Sequence, residues 1–516
     1  MTATAPTAEA TTGEPWWQSA VVYQIYPRSF ADSDGDGVGD LEGIRRHLDH
    51  LCWLGVDAVW VSPFYRSPMA DFGYDVSDHC DVDPLFGTLD DFDRLLGEAH
   101  DRGLRVLVDW VPNHTSDRHP WFVESRSARD SAKRDWYVWR DRPNNWRAAF
   151  GQDESAWSFD EATGQYYLHL FLPEQPDLNW ADPEVVEAMH GVLRFWLDRG
   201  VDGFRVDVVH GLGKDPELPD APPDVAHLPW SSQNDHESTH AILRDLRRLV
   251  DAYPGDRVLV GEVYLLSTRR VARYYGDSDE LHLAFNFPPL YAPWDASAWR
   301  RRIDRVVEEL EPRRAWPTWV LSNHDNPRHR TRYGSEGRAR AAAVLLTTLR
   351  GTPFLYAGEE LALEDAAVPP ERRVDPGGRD GSRAPIPWDA SNGHGWPGPQ
   401  PPWLPWPPEP EVRNVESMRA DPASALHLYR RLLACRRASP ALQLGSWSPL
   451  PSPPGVLAYE RARDEDRRTV IVNFTDDAVE VTVPGRWSVE VASDGEGEGA
   501  GYSGSVRPSA ALVLAP

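Results

Sequence analysis

The chain has 516 residues, with 54 Lys and Arg against 80 Asp and Glu, for a net charge of −26. This length suits roughly three to four average domains or one large barrel with additions, and the acidity argues against nucleic acid or an anionic membrane surface as partner and for a neutral or cationic substrate. Three scattered cysteines, Cys52, Cys80 and Cys435, argue against a disulfide framework or a zinc cluster.

The start, MTATAPTAEATTGEP, is polar, with neither a basic segment nor an apolar run, so residues 1–14 are expected to be disordered rather than a signal peptide or anchor. No apolar stretch reaches the length of about 18 residues that a membrane span needs, so no membrane is expected as partner and the expected compartment is the cytoplasm. The 23 tryptophans are far above ordinary usage, and indoles suit both a core and the flat faces of sugars.

In chain order, residues 21–27 (VVYQIYP) read as a first strand. The loop that follows, DSDGDGVGDLEGI, sets Asp32, Asp34 and Asp36 at alternate positions with glycines between them, a pattern that wraps carboxylates round a hard cation. The Val38 carbonyl stands at the seventh place of an EF-hand-like loop and Asp40 at the ninth, but Gly43 occupies the twelfth, where a bidentate Glu belongs. The expectation is therefore a structural Ca²⁺ loop rather than an EF-hand switch. A helix over 41–55, a strand over 57–63, a loop carrying Asp71 and Tyr74, a helix over 89–102 and a strand over 105–111 come next. Some seventy residues rich in Trp, Arg, Asp and Asn then read as a folded excursion, re-entering through a helix over 183–199.

The predicted fourth strand, 203–208, carries Arg205 and Asp207 two positions apart, so both side chains leave one face and the guanidinium is expected to keep Asp207 ionised. After it come a Pro-rich loop (218–230), a helix (237–252), and strands at 258–263, 281–287, 318–323 and 352–357. Helices at 299–310, 337–350 and 422–437 separate or follow them. Eight alternations with helical crossovers predict an α/β fold, a (β/α)₈ barrel. Polar and ionisable residues close several of its strands: Asp109, Asn113 and His114, then Asp207, Glu262, His324 and Asp325. The Pro, Gly and Trp stretch between 363 and 412 reads as rigid loops over the barrel mouth. Short alternating strands after 441 predict a small antiparallel β domain. The predicted division is thus 15–112 with 181–440 for the barrel, 113–180 for the inserted subdomain and 441–516 for the β domain.

Three acids on three strand ends, Asp207, Glu262 and Asp325, supply the inventory for cleaving a glycosidic bond. One carboxylate attacks the anomeric carbon, one acid protonates the leaving oxygen, and a third stabilises charge on the ring. On this reading Asp207 is the nucleophile and Glu262, among apolar and like-charged neighbours, the acid. A metal site on His114, His324 and these acids is the rival, though neither histidine belongs to an HxxxH or HxH pair.

The motifs YQIYPRSFADSDGDGVGDL, DWVPNHT, QPDLN, GFRVDV, GEVY, SNHDN and GTPFLYAGEE occur in one order. Together they resemble an α-glucosidase of the α-amylase family of glycoside hydrolases, the group holding oligo-1,6-glucosidases and bacterial α-1,4-glucosidases. The resemblance runs from about residue 21 to the end. It implies an exo-acting enzyme that retains α configuration by double displacement on small α-glucosides, with no organic cofactor. Asp207 then matches the nucleophile, Glu262 the acid/base and Asp325 the transition-state stabiliser. Asp71, Tyr74, His114, Arg205 and His324 match residues that hold the terminal glucose, with Phe171, Gln175 and Arg383 as further pocket positions. Asp32, Asp34, Asp36, Val38 and Asp40 match a Ca²⁺ loop.

Val208 is a residue met in α-1,6-specific enzymes, whereas DVVHGLGKDP, GRDGSRAPIPW and WLPWPP resemble an actinobacterial branch acting on maltose-type links, and three segments favour α-1,4. The alternatives are an oligo-1,6-glucosidase, a transglucosylase or a sucrose- or trehalose-acting relative. The RLDRL segment expected of isomaltulose-forming relatives is absent. A catalytically dead accessory subunit should have lost the carboxylates that are present here.

Overall fold

The structure, a computed structural model, describes residues 13–150, 154–228 and 234–516. Most of the segment expected to be disordered, residues 1–12, lies outside the described residues.

Eight parallel strands form the centre: β1 (Val22–Ile25), β2 (Ala58–Val61), β3 (Arg105–Trp110), β4 (Gly203–Val206), β5 (Val258–Gly261), β6 (Leu283–Ala284), β7 (Thr318–Val320) and β8 (Thr352–Tyr356). Their lateral order is β6-β5-β4-β3-β2-β1-β8-β7. The two end strands are consecutive in sequence, and the Thr318 hydroxyl donates to the Ala284 carbonyl at 2.8 Å, which joins them into the (β/α)₈ barrel. Every strand residue except Arg105 is buried, as expected of parallel strands covered on both faces, and this is why they read as unbroken apolar runs.

The period of two decides what fills the barrel. Val22, Ala58, Leu107, Val258, Val260 and Phe354 pack together inside it. Tyr23, Val59, Val106, Val108 and Leu259 belong to the layer beneath the helices. Continued upward, the inward parity falls on Gln24, Trp60, Asp109, Arg205 and Glu262, so alternation carries polar groups to the carboxyl-end mouth.

The predicted helix over 41–55 is two helices, α1 (Leu41–Arg46) and α2 (Leu48–Leu54). At the break, the His47 ring lies 2.8 Å from the Gly43 carbonyl and occupies the acceptor that the His47 amide would use in a continuous helix, while that amide donates to Ile44 instead. The remaining crossovers are α3 (Leu89–Asp101), α4 (Pro183–Arg199), α5 (Glu237–Asp251), α6 (Ala296–Leu310) and α7 (Glu336–Thr348), with α8 (Ala425–Ala438) after β8. Local chemistry sets their ends. Thr88 and Asp91 form a capping box on α3, and α4 runs from Asp182 as N-cap, with Pro183 at its first position, to Gly200 in the left-handed region.

The excursion after β3 holds a three-stranded sheet, Trp139–Arg140, Gln165–Leu168 and Trp157–Asp160. Its small core includes Trp146, Trp157, Leu168 and Leu170, and Ala221 of the loop after β4 completes it. The carbonyls of Leu218 and Pro219 accept hydrogen bonds from Arg140, Asn144 and Trp146. Residues 229 and 230 of that Pro-rich loop lie outside the described residues.

The Pro, Gly and Trp stretch does two things, not the one expected of it. Only residues near 375–383 reach the barrel mouth. The later part packs beside it: the Trp388 indole donates to Phe30, and the Trp403 indole to Ser29. Gly37, at φ +89°, lies so close that a Cβ there would sit 2.4 Å from the Pro401 carbonyl, so this turn of the acidic loop needs glycine.

After α8 a five-stranded antiparallel sheet runs Ser446–Leu450, Val456–Arg463, Asp466–Asn473, Ala511–Ala515, Ser488–Ala492 in lateral order. Outside that sheet, Val479–Glu480 pairs separately with Ser505–Val506. The three cysteines are free. Among the described residues no helix is long and apolar enough to cross a membrane.

Candidate active site

A cavity of about 550 Å³ opens at the carboxyl ends of the strands, lined by Asp71, Tyr74, His114 and Phe171 together with Asp207, Val208, Glu262, Asp325 and Arg379. That is within the range of small-molecule sites. All three predicted catalytic acids thus share one wall, although 118 positions separate the first from the last in sequence (325 − 207).

Arg205 gathers the cluster. Its Nη1 donates to Asp109 Oδ1 at 2.8 Å and to Asp207 Oδ1 at 2.5 Å, and its Nη2 lies 2.7 Å from Glu262 Oε2. β4 ends at Val206, earlier than predicted, because the chain turns at once: Val208 has φ +45°, a costly conformation for a β-branched residue. The turn leaves Asp207 pointing into the cavity beside Arg205 and aims the Val208 N–H at Glu262 Oε2, 3.0 Å away.

One guanidinium is shared among three carboxylates. Burial first, then the charges of Glu262 and Asp109, push the Asp207 carboxyl well above the usual range despite Arg205. Asp109 is likewise pushed up, by burial, to about 6. The expectation that Arg205 keeps Asp207 ionised meets a divided charge: the arginine also serves Asp109 and Glu262, and burial opposes ionisation at Asp207.

Asp325 behaves oppositely. Burial would raise it, but His324 and the guanidiniums of Arg379, Arg383 and Arg205 bring its carboxyl well below the usual range. Arg379 Nη1 and Arg383 Nη2 lie 2.9 and 3.2 Å from Oδ1, and His324 Nε2 lies 3.3 Å from Oδ2. Gln24 Nε2 meets His324 Nδ1 at 2.7 Å, and since an amide nitrogen donates, the ring proton sits on Nε2 and faces Tyr74 and Asp325. Burial pulls His324 down to about 3, so the ring is neutral at ordinary pH.

Of the eight predicted glucose-binding residues, Asp71, Tyr74, His114 and Phe171 line the cavity; Gln175, Arg205, His324 and Arg383 stand one layer behind. Gln175 Nε2 contacts Asp71 Oδ2 at 3.2 Å and His114 Nε2 at 3.1 Å. Its neighbour Asp177 accepts from Asn113 at 2.8 Å and pairs with Lys214 at 3.1 Å, so the QPDLN segment anchors the His114 loop. Arg383, expected to line the pocket, is fully buried and bonds the His324 carbonyl at 2.8 Å. The arginine that does reach the cavity is Arg379, one turn earlier. Its Nη2 contacts Asp71 Oδ1 at 2.6 Å while Nη1 holds Asp325, with Asp375 behind both. Nothing in the spacing of GGRDGSR separates the two arginines, because the segment is irregular and has no period to read.

This bridge carries a prediction. Arg379→Ala removes the cation that joins Asp71 to Asp325, leaves Asp325 with Arg383, and enlarges the cavity. The expected result is a rise in KM for a short substrate and a fall in kcat/KM of about 10²-fold, measured by steady-state kinetics.

In the acidic loop, carboxylate oxygens of Asp32, Asp34 and Asp40 lie within 4.8 Å of one another. Asp36 and Val38 share the loop but not that group; Asp36 instead accepts from the Val38 N–H at 2.8 Å. Burial raises the Asp40 carboxyl, and Asp34 adds like charge. Three converging carboxylate oxygens form a donor set that suits a hard divalent cation.

Comparison with known proteins fits this geometry. The family described as alpha amylase, catalytic domain, matches residues 24–445. A probable alpha-glucosidase of Rhizobium meliloti (strain 1021) is 42% identical over 510 residues, covering 91% of each chain. An oligo-1,6-glucosidase of Parageobacillus thermoglucosidasius is 38% identical over 515 residues, 89% of this chain and 91% of the relative. Among solved structures, an alpha-glucosyl transfer enzyme superposes with TM-score 0.90 at 40% identity, covering 98% of this chain and all of its own. The trehalulose synthase of Pseudomonas mesoacidophila MX-45 does so with TM-score 0.90 at 35% identity, again over 98% of this chain and all of its own.

Proposed function

The chain belongs to the α-amylase family, and from that premise we propose that it is a retaining exo-α-glucosidase, releasing one glucose from the non-reducing end of short α-glucosides. The observation that carries this is the convergence of Asp207, Glu262 and Asp325 on one cavity, which Asp71, Arg379 and the bridge between them and Asp325 also line.

In the mechanism Asp207 attacks the anomeric carbon as the bond to the leaving oxygen breaks, and Glu262 gives that oxygen its proton. Asp207 acts as the carboxylate beside Arg205, and Glu262 as the acid. Glu262 then takes a proton from water as the water oxygen displaces Asp207, so configuration is inverted twice and retained. Asp325, held ionised by its guanidiniums, stabilises positive charge on the ring in both transition states.

The preferred bond is α-1,4 in maltose-type substrates. Val208, on the cavity wall beside Glu262, favours the α-1,6 alternative. Incubation with maltose, isomaltose, sucrose and trehalose, with products resolved by chromatography, tests the assignment. Glucose released fastest from maltose is expected; faster release from isomaltose makes it an oligo-1,6-glucosidase, and an isomeric disaccharide from sucrose makes it an isomerase.

We further propose that Asp32, Asp34 and Asp40 hold a structural Ca²⁺, with Asp36 and the Val38 carbonyl able to complete its shell. The ion would neutralise like charges at the loop that supports Trp403, whose indole reaches Ser29, which donates in turn to the Arg383 carbonyl at 2.5 Å. Stoichiometric calcium by elemental analysis and a lower melting temperature after chelation are expected; a protein free of metal and indifferent to chelator removes the proposal.

A further inference from the structure

The amino ends of the barrel strands lie opposite the catalytic mouth. There a second cavity, of about 200 Å³, opens between the starts of β1, β2 and β3 and the last turn of α8, and Arg105, Arg436, Arg437, Asp57 and Trp16 line it. Three arginines against one aspartate leave a surplus of two positive charges on the wall of this cavity, in a chain whose net charge is −26. A positive hollow in so negative a field draws in small anions.

Arg436 is only 1% exposed, yet carbonyls are its sole partners among the described residues. Its Nη1 donates to Thr347 and Leu442 at 3.1 and 2.7 Å, its Nη2 donates to Gly351 at 2.8 Å, and its Nε is buried with no partner. Burial pulls this guanidinium down to about 10, with Asp57 opposing. Arg461, as deeply buried and bonded to the carbonyls of Ser446, Thr348 and Gly445, adds like charge. Asp57 has little to spare: Oδ1 accepts from Arg437 Nη2 and Oδ2 from the Val21 N–H, both at 2.8 Å. Arg105 Nη1 meets Asp202 at 2.9 Å, but that carboxylate also holds Arg257 at 3.1 Å. Arg105 and Arg437 each keep Nε and one terminal nitrogen without a partner among the described residues. The dipole of α8 accounts for cations in its last turn. It does not account for a buried guanidinium with no counter-ion, which is costly until an anion supplies one.

We propose that this cavity binds a small dianion, a phosphate or a phosphate monoester, with Arg105 and Arg437 on its oxygens and Arg436 adding charge from behind. Planar guanidiniums match phosphate oxygens in pairs, and two surplus charges match a dianion. The volume lies below the roughly 300 to 1,000 Å³ of sites for drug-sized ligands, which favours a phosphate carrying at most a sugar-sized remainder. Trp16, whose ring lies 5.5 Å from the Arg105 guanidinium, gives that remainder a flat wall. The site stands apart from the catalytic mouth and does not depend on the glucosidase reading.

Titration calorimetry and thermal melts of the full chain at about pH 8, where a phosphate monoester is dianionic, test this. Inorganic phosphate and glucose 6-phosphate are the probes, with glucose and sodium chloride at matched ionic strength as controls. The expected result is one phosphate-bearing ligand per chain and a saturable rise in melting temperature that the controls lack. Arg105→Gln and Arg437→Gln should each weaken binding about tenfold. Asp57→Asn, which removes the opposing charge, should tighten it, and opposite signs from neighbouring variants are not the mark of a damaged fold. Equal affinity for the two probes means that the cavity reads phosphate alone, and a tighter ester means that it reads the sugar too; either supports the site. Absence of saturable binding, or binding unmoved by both arginine variants, overturns the proposal. So does a probe that competes with a nitrophenyl α-glucoside, because it then occupies the catalytic cavity.

Discussion

Asp207→Ala loses at least about 10⁴-fold in kcat on a nitrophenyl α-glucoside while the protein remains folded by circular dichroism. The size follows from what the residue does: without a carboxylate at the anomeric carbon the first displacement has no nucleophile, and Glu262 and Asp325 can only bind and protonate. Azide separates this from a general structural defect. A small anion entering the vacated space attacks from the same side, so the variant should recover turnover and yield the β-glucosyl azide, the product of a single inversion. Wild-type-like turnover in Asp207→Ala, or no product with azide from a folded variant, ends the assignment. A companion effect appears in stability. Burial raises the Asp207 carboxyl in the folded state, so between the ordinary aspartate value and that raised value the folded protein binds more protons than the unfolded chain. Stability from this group is therefore full below about pH 4 and is lost as pH rises through the folded value. Asp207→Asn, which removes the titration but keeps the shape, should melt higher than the wild type near neutrality, with the gap shrinking on acidification.

The barrel and its acids could be read from the residues because two periodicities coincide. Buried parallel strands are apolar on both faces, so each stands out, and the parity that sends Val258 and Val260 inward carries on to Glu262. The resemblance of short motifs to a known family gave those acids roles that alternation alone does not assign. What could not be read depends on irregular chain or on summed charge. Arg379 and Arg383 are four apart in a loop with no repeat, and only the folded path shows that the first enters the cavity while the second hides behind it. The surroundings of Asp207 are only half legible, because adjacency to Arg205 is visible in sequence, whereas the sharing of that one cation with Asp109 and Glu262 is a fact of three strands meeting. Tyr264 and Tyr291, which line the cavity, come from separate parts of the chain and meet through their hydroxyls, a contact with no signature in the sequence.

Glu262→Gln distinguishes an acid/base from a residue that merely holds the site together. An amide keeps the size of the side chain and the acceptor for the Val208 N–H, so the fold and the turn at Val208 should persist. What it lacks is a proton to give. Sugar leaving groups depend on that proton, because an alkoxide is a poor leaving group, and kcat/KM for maltose should fall about 10³- to 10⁴-fold. A dinitrophenolate leaves without help, so the first step on a dinitrophenyl α-glucoside should be nearly unharmed. The glucosyl ester on Asp207 then lacks a base to activate water. On this substrate the variant should show a burst of phenolate equal to the enzyme concentration, followed by slow turnover, and KM should fall as the ester accumulates. Equal losses on maltose and on the activated substrate, with no burst, would mean that Glu262 serves Arg205 and the Val208 turn rather than the reacting oxygen. The proton would then have to come from another member of the cluster, with Asp109, pushed up to about 6, the next group to replace.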